Sequence, residues 1–477
     1  MIDRHQRNLA LLVASCLFME NLDGTIVTTA APRIAADLQV SSVSIGLVIT
    51  AYLITLAVLI PLSGWMVASL GTRKVFLAAI VIFTLASLLC AGSANFAELV
   101  AMRVLQGAGG AMMVPVGRLA VLARTAKADM MRMIAYIVWP ALVAPVIAPL
   151  AGGLITTYAS WRWLFLINVP LGVVALAVAT RVVAASPVGS APPLDVSGVA
   201  LTGTGLAGLV YTAHMVSEPS EGWVATVICG LVSAALICAA VRHLLRAPAP
   251  LLDLYTLRTK SFRAFVGGGT LFGMTVGALP FMLPLLFQEV FGWSPVKSGT
   301  VVLFIFVGNI GIKPATTFLI NRFGFRAVLV TATAGVAATV VAAGSFSAGT
   351  PLAIIVAIVL LSGVARSVGF TAYTTLGFSE VPEGEMAHAN GLSATTQQLA
   401  AALGVAMATV ALRLGGPIGR LFSRHPATAT SYTVAFVLMG LIALAATAGA
   451  TRLSPDAGSA VRRAGGTPAA GPAPRAP

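Results

Sequence analysis

The sequence predicts an all-α integral membrane protein, because the chain is too apolar and carries too few charges for a soluble one. Of its 477 residues, 58% are hydrophobic and 9% are charged, and the mean hydropathy is +0.95. A soluble domain carries about 25% charged residues. Apolar runs of about 20 residues, long enough to cross the hydrocarbon core as a helix, recur along the chain. The first run is long enough to remain as a span, so we expect no cleavable signal peptide.

Fourteen membrane spans are predicted from these apolar runs. All four cysteines fall within them, so we expect neither a disulfide nor a metal framework. The predicted spans are 9–31, 44–66, 75–94, 98–120, 132–157, 162–182, 196–216, 222–242, 263–288, 298–320, 327–346, 351–375, 391–414 and 432–451.

The formal charge of +14 follows the predicted topology. With the N-terminus inside, 19 of the 29 Lys and Arg residues fall in cytoplasmic segments, six fall outside and four lie within spans. This asymmetry places both termini in the cytoplasm by the positive-inside rule. The basic balance therefore reflects topology rather than nucleic-acid binding. The outer loop 415–431 is more basic than the rule favours, and the span count is weakest there.

A weak internal repeat divides the chain. The segment 69–77, between the second and third spans, resembles the segment 322–330, between the tenth and eleventh. That offset predicts two related six-helix halves, an architecture in which many transporters hold a polar site between the halves. The predicted organisation is an N-terminal half at 1–182, a linker with two inserted helices at 183–261, a C-terminal half at 262–452 and a disordered cytoplasmic tail at 453–477.

Two carboxylates lie within the first predicted span. Glu20 lies about 16 Å and Asp23 about 21 Å from its start, inside a hydrocarbon core about 30 Å thick. An ionised carboxylate there costs about 2.5–3.5 kcal/mol on insertion scales. Their i,i+3 spacing puts both on one helix face, directed towards a polar interior. A buried acid of this kind can carry a proton; the alternative is a packing anchor fixed by one Arg.

Arg103 is the expected partner of Asp23. Counted along the fourth span, Arg103 lies at about the same depth as Asp23, so we predict an ion pair or close coupling through water. This leaves Glu20, with no cation at its depth, as the better proton carrier. Arg118 is expected to snorkel to the cytoplasmic surface. A static tie between two helices is the alternative role for Arg103.

A second polar layer is predicted in the C-terminal half. Lys313 and Arg366 each lie about 8 Å from the cytoplasmic boundary, and Gln397 and Gln398 lie at a similar depth. Two cations at one level repel unless water, a carboxylate or an anionic ligand lies between them. The layer is interpreted either as an anion-binding site or as an exposed vestibule in which both side chains snorkel.

Four stretches, in order along the chain, match motifs of one family. They are LDGTIVTTAAP (22–32), LVAMRVLQGAGGA (99–111), APLAGG (148–153) and SWRWLFLINVPLG (160–172). Through these motifs the chain resembles the major facilitator superfamily, specifically its fourteen-helix drug:proton antiporter branch, over nearly its whole length. Thr28 stands where the first-helix signature has Asn, and Ala148 replaces the first Gly of the fifth-helix antiporter motif. The chain also shares MVPVGRL (113–119) with multidrug resistance members.

The resemblance adds candidate roles for several residues. The family's loop signature appears as GWMVASLGTRK (64–74), with Ala68 where the family has Asp. That Asp helps to latch the cytoplasmic side, and its counterpart in the repeat, Asn321, is also uncharged. The latch should therefore be weaker or differently built. The candidates are Glu20, Asp23 and Arg103 for proton coupling; Thr25, Gln106, Lys313, Arg366, Gln397 and Gln398 for the substrate cavity; and Gly64, Gly71, Arg73, Lys74, Pro149, Gly152 and Gly153 for gating.

The expected function is proton-coupled export of amphipathic drugs or other small molecules. We expect no cofactor, no metal and no nucleic-acid partner, with a monomer in a bacterial cytoplasmic membrane driven by the proton gradient. The alternative substrate is an organic anion such as a carboxylate or siderophore, which the Lys313/Arg366 layer would suit. A membrane-embedded enzyme is the distant alternative: the sequence has no HExxH, GxSxG or phosphate-loop motif, and its five His residues are scattered.

Overall fold

A computed structural model describes residues 4–122, 125, 130–184, 193–217, 222–422 and 428–458. These residues form an all-helical bundle, as predicted. The helices are α1 (Arg4–Leu38), α2 (Ile45–Leu59), α3 (Leu62–Leu70), α4 (Thr72–Gly92), α5 (Phe96–Leu122), α6 (Met130–Tyr158), α7 (Trp163–Leu166), α8 (Asn168–Val182), α9 (Val196–Ser217), α10 (Trp223–Leu244), α11 (Lys260–Leu285), α12 (Pro295–Gly311), α13 (Lys313–Ala343), α14 (Leu352–Phe378), α15 (Met386–Phe422) and α16 (Thr428–Thr451).

Most of these helices are long and apolar enough to cross a bilayer, where a helix satisfies every backbone polar group internally. Twelve helices in the described part of the chain meet this test singly. The pair α2 and α3, bent by 58° at a short break, makes a thirteenth span. The shorter apolar helix α12 accounts for most of the predicted tenth span.

Helix α13 contains a sharp kink that separates the end of the predicted tenth span from the eleventh. Gly324 inside it has φ 81° and ψ 161°, which is not helical. The residues before this kink continue α12 after a break at Ile312, and the residues after it form the predicted eleventh span. Each of the fourteen predicted spans therefore has a helical counterpart in the structure.

The backbone repeats itself at the two segments that the sequence pairs. Gly71 has φ 83° and ψ 148°, nearly the values at Gly324, in a region that glycine enters at little cost. Ten residues before each glycine, Pro61 and Pro314 follow a helix break. Proline lacks the N–H that a continuous helix needs there. The same proline and the same glycine turn, ten residues apart in both segments, support the predicted division into two halves, which stays a prediction.

Several predicted boundaries were wrong. The predicted loop 415–431 is much shorter, because α15 runs to Phe422 and α16 begins at Thr428. Gly415 in α15 lies so close to the backbone of Ser431 that a Cβ there would overlap it, so the two helices pack together over this stretch. Helix α1 likewise continues to Leu38. Of the predicted connector 183–195 and tail 453–477, residues 185–192 and 459–477 lie outside the described residues.

The inserted helices α9 and α10 pack against each other and differ in their surroundings. Helix α9 also contacts α2 and α15, so it bridges the two predicted halves. Helix α10 is the least buried of the twelve helices that can span singly: 11% of the residues in its apolar stretch are buried. We therefore place α10 against lipid and α9 along the seam.

The bundle is closed on the side of the membrane opposite the chain termini, here called the far side; the other is the termini side. On the termini side, α3 has no buried residue, and Arg322 and Phe323 are exposed. The far-side contacts between the predicted halves include the backbone of Pro149 against Gly299, Gly153 against the backbone of Pro295, and a 2.9 Å hydrogen bond donated by the Gln288 side chain to the carbonyl of Thr29.

Gly299→Val should prevent this far-side closure, because its Cβ would overlap the Pro149 backbone. The matched control is Gly311→Val in the same helix, where a Cβ would meet nothing within 4 Å. We expect a Thr29→Cys reporter, buried in the parent structure, to react with a membrane-impermeant thiol reagent from the far side only in the Gly299→Val protein. Equal labelling in both variants would contradict the assigned closure.

Candidate functional site

A buried polar network surrounds Asp23 in the first predicted half. The guanidinium of Arg103 pairs with one carboxylate oxygen at 2.5 Å. The other oxygen accepts hydrogen bonds of 2.8 Å from the side-chain amides of Gln106 and Asn168. The Gln106 amide also donates to the Ser87 hydroxyl at 2.8 Å. The network thus ties together α1, α4, α5 and α8.

Close helix packing brings these groups together. A Cβ on Gly109 of α5 would lie 2.6 Å from the backbone nitrogen of Phe83 in α4. Gln106 precedes Gly109 by one turn, and Ser87 follows Phe83 by one turn on the antiparallel neighbour, so the two polar side chains meet. Small residues allow this kind of approach between membrane helices.

The Asp23–Arg103 pair is fully enclosed. Both side chains have 0% exposure, and the Arg103 guanidinium lies over the Tyr52 ring, 4.2 Å from its centroid. Such a cation–π contact strengthens when it is desolvated. The predicted Asp23–Arg103 contact is therefore present. Gln106, predicted to line the substrate cavity, is instead a fully buried member of this network.

Glu20 lies one turn along α1 from Asp23 and has a different environment. Its side chain is half-buried, and its Oε2 is a buried atom without a hydrogen-bond partner among the described residues. Tyr52, whose hydroxyl is also without such a partner, interacts electrostatically with both Glu20 and Asp23. Glu20 is therefore the carboxylate of the two that remains available to exchange a proton or meet a ligand.

Arg118 corrects the expectation that no cation lies near Glu20. The two side chains interact electrostatically, although Arg118 remains exposed at its own position. Helical side chains lean towards the N-terminus of their helix. Helices α1 and α5 are antiparallel, so Glu20 leans towards the termini side while Arg118 leans towards the membrane centre. Counting depth from Cα positions alone therefore overestimated their separation.

The structure brings together the two cations of the predicted second polar layer. Lys313 and Arg366 are both half-buried and interact electrostatically with each other. The guanidinium of Arg366 lies 5.4 Å from the centroid of the Phe306 ring. Gln397 donates to the hydroxyl of Ser393, one turn earlier in the same helix, at 3.0 Å, and Gln398 is half-buried. Thr25 donates its hydroxyl to the carbonyl of Asn21 at 2.9 Å, so its donor is used within α1.

The predicted gating residues on the termini side have unequal roles. Arg73 donates to the carbonyl of Thr180 near the end of α8 at 2.8 Å, a favourable position for a cation near a helix C-terminus. Gly71 supplies the left-handed turn between α3 and α4. Lys74 and Gly64 are exposed. The half-buried Ala68 brings no charge to this segment, and Arg73 supplies a hydrogen bond from it to α8.

The antiporter-like motif of the fifth span lies at the far-side closure. Pro149 and Gly153 meet α12, and a Cβ on Gly152 would lie 2.9 Å from the carbonyl oxygen of Ile26 in α1. These residues therefore let α6 pack tightly between α1 and α12. The structure places them in the closure, away from the Asp23 network.

Four residues of the site were missed by sequence reasoning. Ser87 and Asn168 were overlooked because a lone polar residue in an apolar span does not reveal its partner. The role of Tyr52 does not show in the sequence, because nothing there indicates which side chain its ring would cover. Arg118 was predicted at the cytoplasmic surface from the depth of its Cα alone. The signal that could have placed it near Glu20 is an acid and an arginine on antiparallel spans, whose side chains lean towards each other.

Asp23→Asn should destabilise the protein by about 3–5 kcal/mol, because it leaves Arg103 as an uncompensated buried charge. The Asp23→Asn/Arg103→Gln double variant should recover part of that loss. Thermal unfolding in detergent, followed by size-exclusion chromatography, measures both. Glu20→Gln is the control and should unfold close to the parent. An Asp23→Asn protein as stable as the parent would show that the pair is not a structural tie.

Comparison with known proteins assigns the family. The sequence profile of the Major Facilitator Superfamily matches residues 13–405. The chain is 35% identical over 410 residues to the "Putative multidrug resistance protein MdtD" of Citrobacter koseri, covering 85% of this chain and 86% of that protein. It is also 35% identical over 408 residues to the protein of the same name from Escherichia coli O6:H1, with the same coverage.

Solved structures of low sequence identity share the fold. An auto-inhibited peptide transporter of the POT family superposes with a TM-score of 0.69 at 16% identity, covering 95% of this chain and 98% of that chain. The nucleoside transporter NupG superposes with a TM-score of 0.62 at 14% identity, covering 94% and 100%. The helical bundle, its motifs and these matches lead to one conclusion: the chain belongs to the Major Facilitator Superfamily of membrane transporters.

Proposed function

We propose that this transporter is a proton-coupled exporter in which Glu20 binds and releases the coupling proton. The observation that carries the proposal is the contrast between the two carboxylates of α1. Asp23 has its oxygens occupied by Arg103, Gln106 and Asn168 in a sealed network. Glu20 is half-buried, and its Oε2 has no partner among the described residues. An ionisable residue within a membrane span that is left in this state is a functional candidate.

The Asp23 network has a supporting role in this proposal. Its ion pair holds α1, α5 and the neighbouring helices together, which fixes Glu20 at the edge of the network. Because Asp23 is enclosed and fully bonded, exchanging its proton would require the network to open. We therefore assign the coupling proton to Glu20 and a positioning role to Asp23 and Arg103.

Arg118 makes the ionised and the protonated forms of Glu20 differ in their electrostatic interactions. Ionised Glu20 attracts Arg118, and protonated Glu20 releases it. Glu20 can then lose its proton to the termini side and hold Arg118 in its place. Binding of a proton or substrate shifts the balance between conformations only by its differential affinity for them. The exchange of Arg118 for a proton supplies such a difference.

The relatives' printed name points to multidrug resistance, and we extend that substrate class to this chain as part of the proposal. Apolar spans around a partly available acid suit amphipathic molecules, which pair an apolar body with a polar head. We place the protein as a monomer in a bacterial cytoplasmic membrane with both termini in the cytoplasm, in accord with the positive-inside asymmetry. Membership of a transporter family favours transport over enzymatic activity.

Glu20→Gln should abolish proton coupling, because glutamine cannot carry the proton. Everted membrane vesicles are energised to an acid interior, and a lipophilic cation such as ethidium is added. We expect the pH gradient to collapse in vesicles with the parent protein and to persist in those with Glu20→Gln. The matched control is Glu383→Gln, the same change at an exposed turn, which should behave as the parent. Collapse with Glu20→Gln would exclude Glu20 as the proton carrier.

Arg118→Gln should slow coupled transport, since ionised Glu20 then loses its counter-charge, while Arg118→Lys should restore much of the rate. The measurement is the initial rate of dye export at a fixed pH gradient, at matched expression. Arg322→Gln, at an exposed position on the termini side, controls for loss of a surface charge. A parent-like rate in Arg118→Gln would remove Arg118 from the mechanism.

A further inference from the structure

We propose that Lys313 and Arg366 form a binding site for the anionic group of a transported molecule, a carboxylate, sulfonate or phosphate carried on an apolar body. The inference rests on the proposed transport function and deepens it by naming a chemical feature of the substrate. It assigns a ligand to two cations that the proton-coupling mechanism does not use.

Helix packing brings the two cations to one level. A Cβ on Gly308 of α12 would lie 3.2 Å from the backbone nitrogen of Val364 in α14, and a Cβ on Gly363 would lie 3.1 Å from that of Asn309. Helices α12 and α14 run in the same direction across the bundle. Lys313 follows Gly308 by five residues and Arg366 follows Gly363 by three, so both lie on the termini side of this contact at similar depth.

The charges of this pair are not balanced by the protein. Among the described residues, the ion pairs are Arg103–Asp23, Arg162–Asp37 and His243–Asp195, and none involves Lys313 or Arg366. The Nη1 of Arg366 is a buried atom without a hydrogen-bond partner in the described part of the chain. Lys313 and Arg366 interact with each other as like charges. A ligand anion between them would satisfy both.

The surroundings of Arg366 suit a ligand with an apolar body. Phe306 presents a ring 5.4 Å from the guanidinium and is itself buried in the core of the bundle. A planar guanidinium can bind a carboxylate or phosphate with two parallel hydrogen bonds. Lys313 follows the interruption between α12 and α13 at Ile312, on the termini side of the contact between α12 and α14. In an exporter with both termini in the cytoplasm, as proposed above, this is the side from which the molecule is loaded.

The transported molecule therefore meets opposite charges in the two predicted halves. Glu20 lies in the first half, and the Lys313/Arg366 pair lies in the second. An organic anion can engage the second predicted half, and a zwitterion with its anionic end at Arg366 can engage both. Anion recognition is thus assigned to the second predicted half, and proton binding to the first.

The test is equilibrium binding with no gradient. Purified protein in nanodiscs of phosphatidylcholine is titrated with carboxyfluorescein, and binding is followed by fluorescence anisotropy. We expect saturable binding to the parent that weakens about tenfold or more, about 1.4 kcal/mol, in Arg366→Gln and in Lys313→Gln. Arg322→Gln controls for a surface cation. A cationic rhodamine, built on the same ring system, should bind these variants at least as well as the parent.

Two outcomes would overturn the proposal. One is the absence of saturable anion binding to the parent, or equal binding to the parent and to both variants that elute as folded monodisperse protein. The other is loss of carboxyfluorescein binding when phosphatidylglycerol replaces phosphatidylcholine, which would assign the site to a lipid headgroup. Retained anion binding in Glu20→Gln keeps this test separate from that of proton coupling.

Discussion

The ion pair between Asp23 and Arg103 is the constraint on which the first predicted half of this transporter depends. Two unlike charges are held in the membrane interior with no exposed surface, where an unpaired charge is costly. The pair is tolerable because Gln106 and Asn168 satisfy the remaining carboxylate lone pairs and Tyr52 covers the guanidinium. Helices α1, α4, α5 and α8 must therefore keep their relative positions whenever the pair is intact.

This fixed core allows a second carboxylate one turn away to behave differently. Glu20 shares a helix face with Asp23, yet its Oε2 has no partner among the described residues, and it interacts electrostatically with Arg118. In the first predicted half, an enclosed ion pair holds the helices together, and the coupling proton is proposed to bind the acid beside it. The second predicted half carries two cations instead. The two predicted halves thus have the same glycine turn at Gly71 and Gly324 but present different charges.

Structural features that depend on span length, depth and periodicity could be predicted from the sequence. Span length fixed the membrane class, equal depth predicted the Asp23–Arg103 contact, and the resemblance of two loops located the equivalent glycine turns. Arg118 could not be placed by counting Cα positions, because a long helical side chain reaches away from the depth of its own Cα. The end of α15 was misplaced because helix α16 packs against Gly415, a tertiary contact that extends the helix beyond its apolar run. Gln106 was predicted to line a cavity, because the sequence does not show that its amide bonds to Ser87 of another helix.

Coupling through Glu20 requires that a change in its charge accompany substrate binding. This requirement can be measured by adding a transported dye to purified protein in weakly buffered solution and recording the pH. We predict that the parent and Glu383→Gln release protons on binding, whereas Glu20→Gln binds the dye and releases none. Equal proton release from Glu20→Gln would show that another group carries the coupling proton.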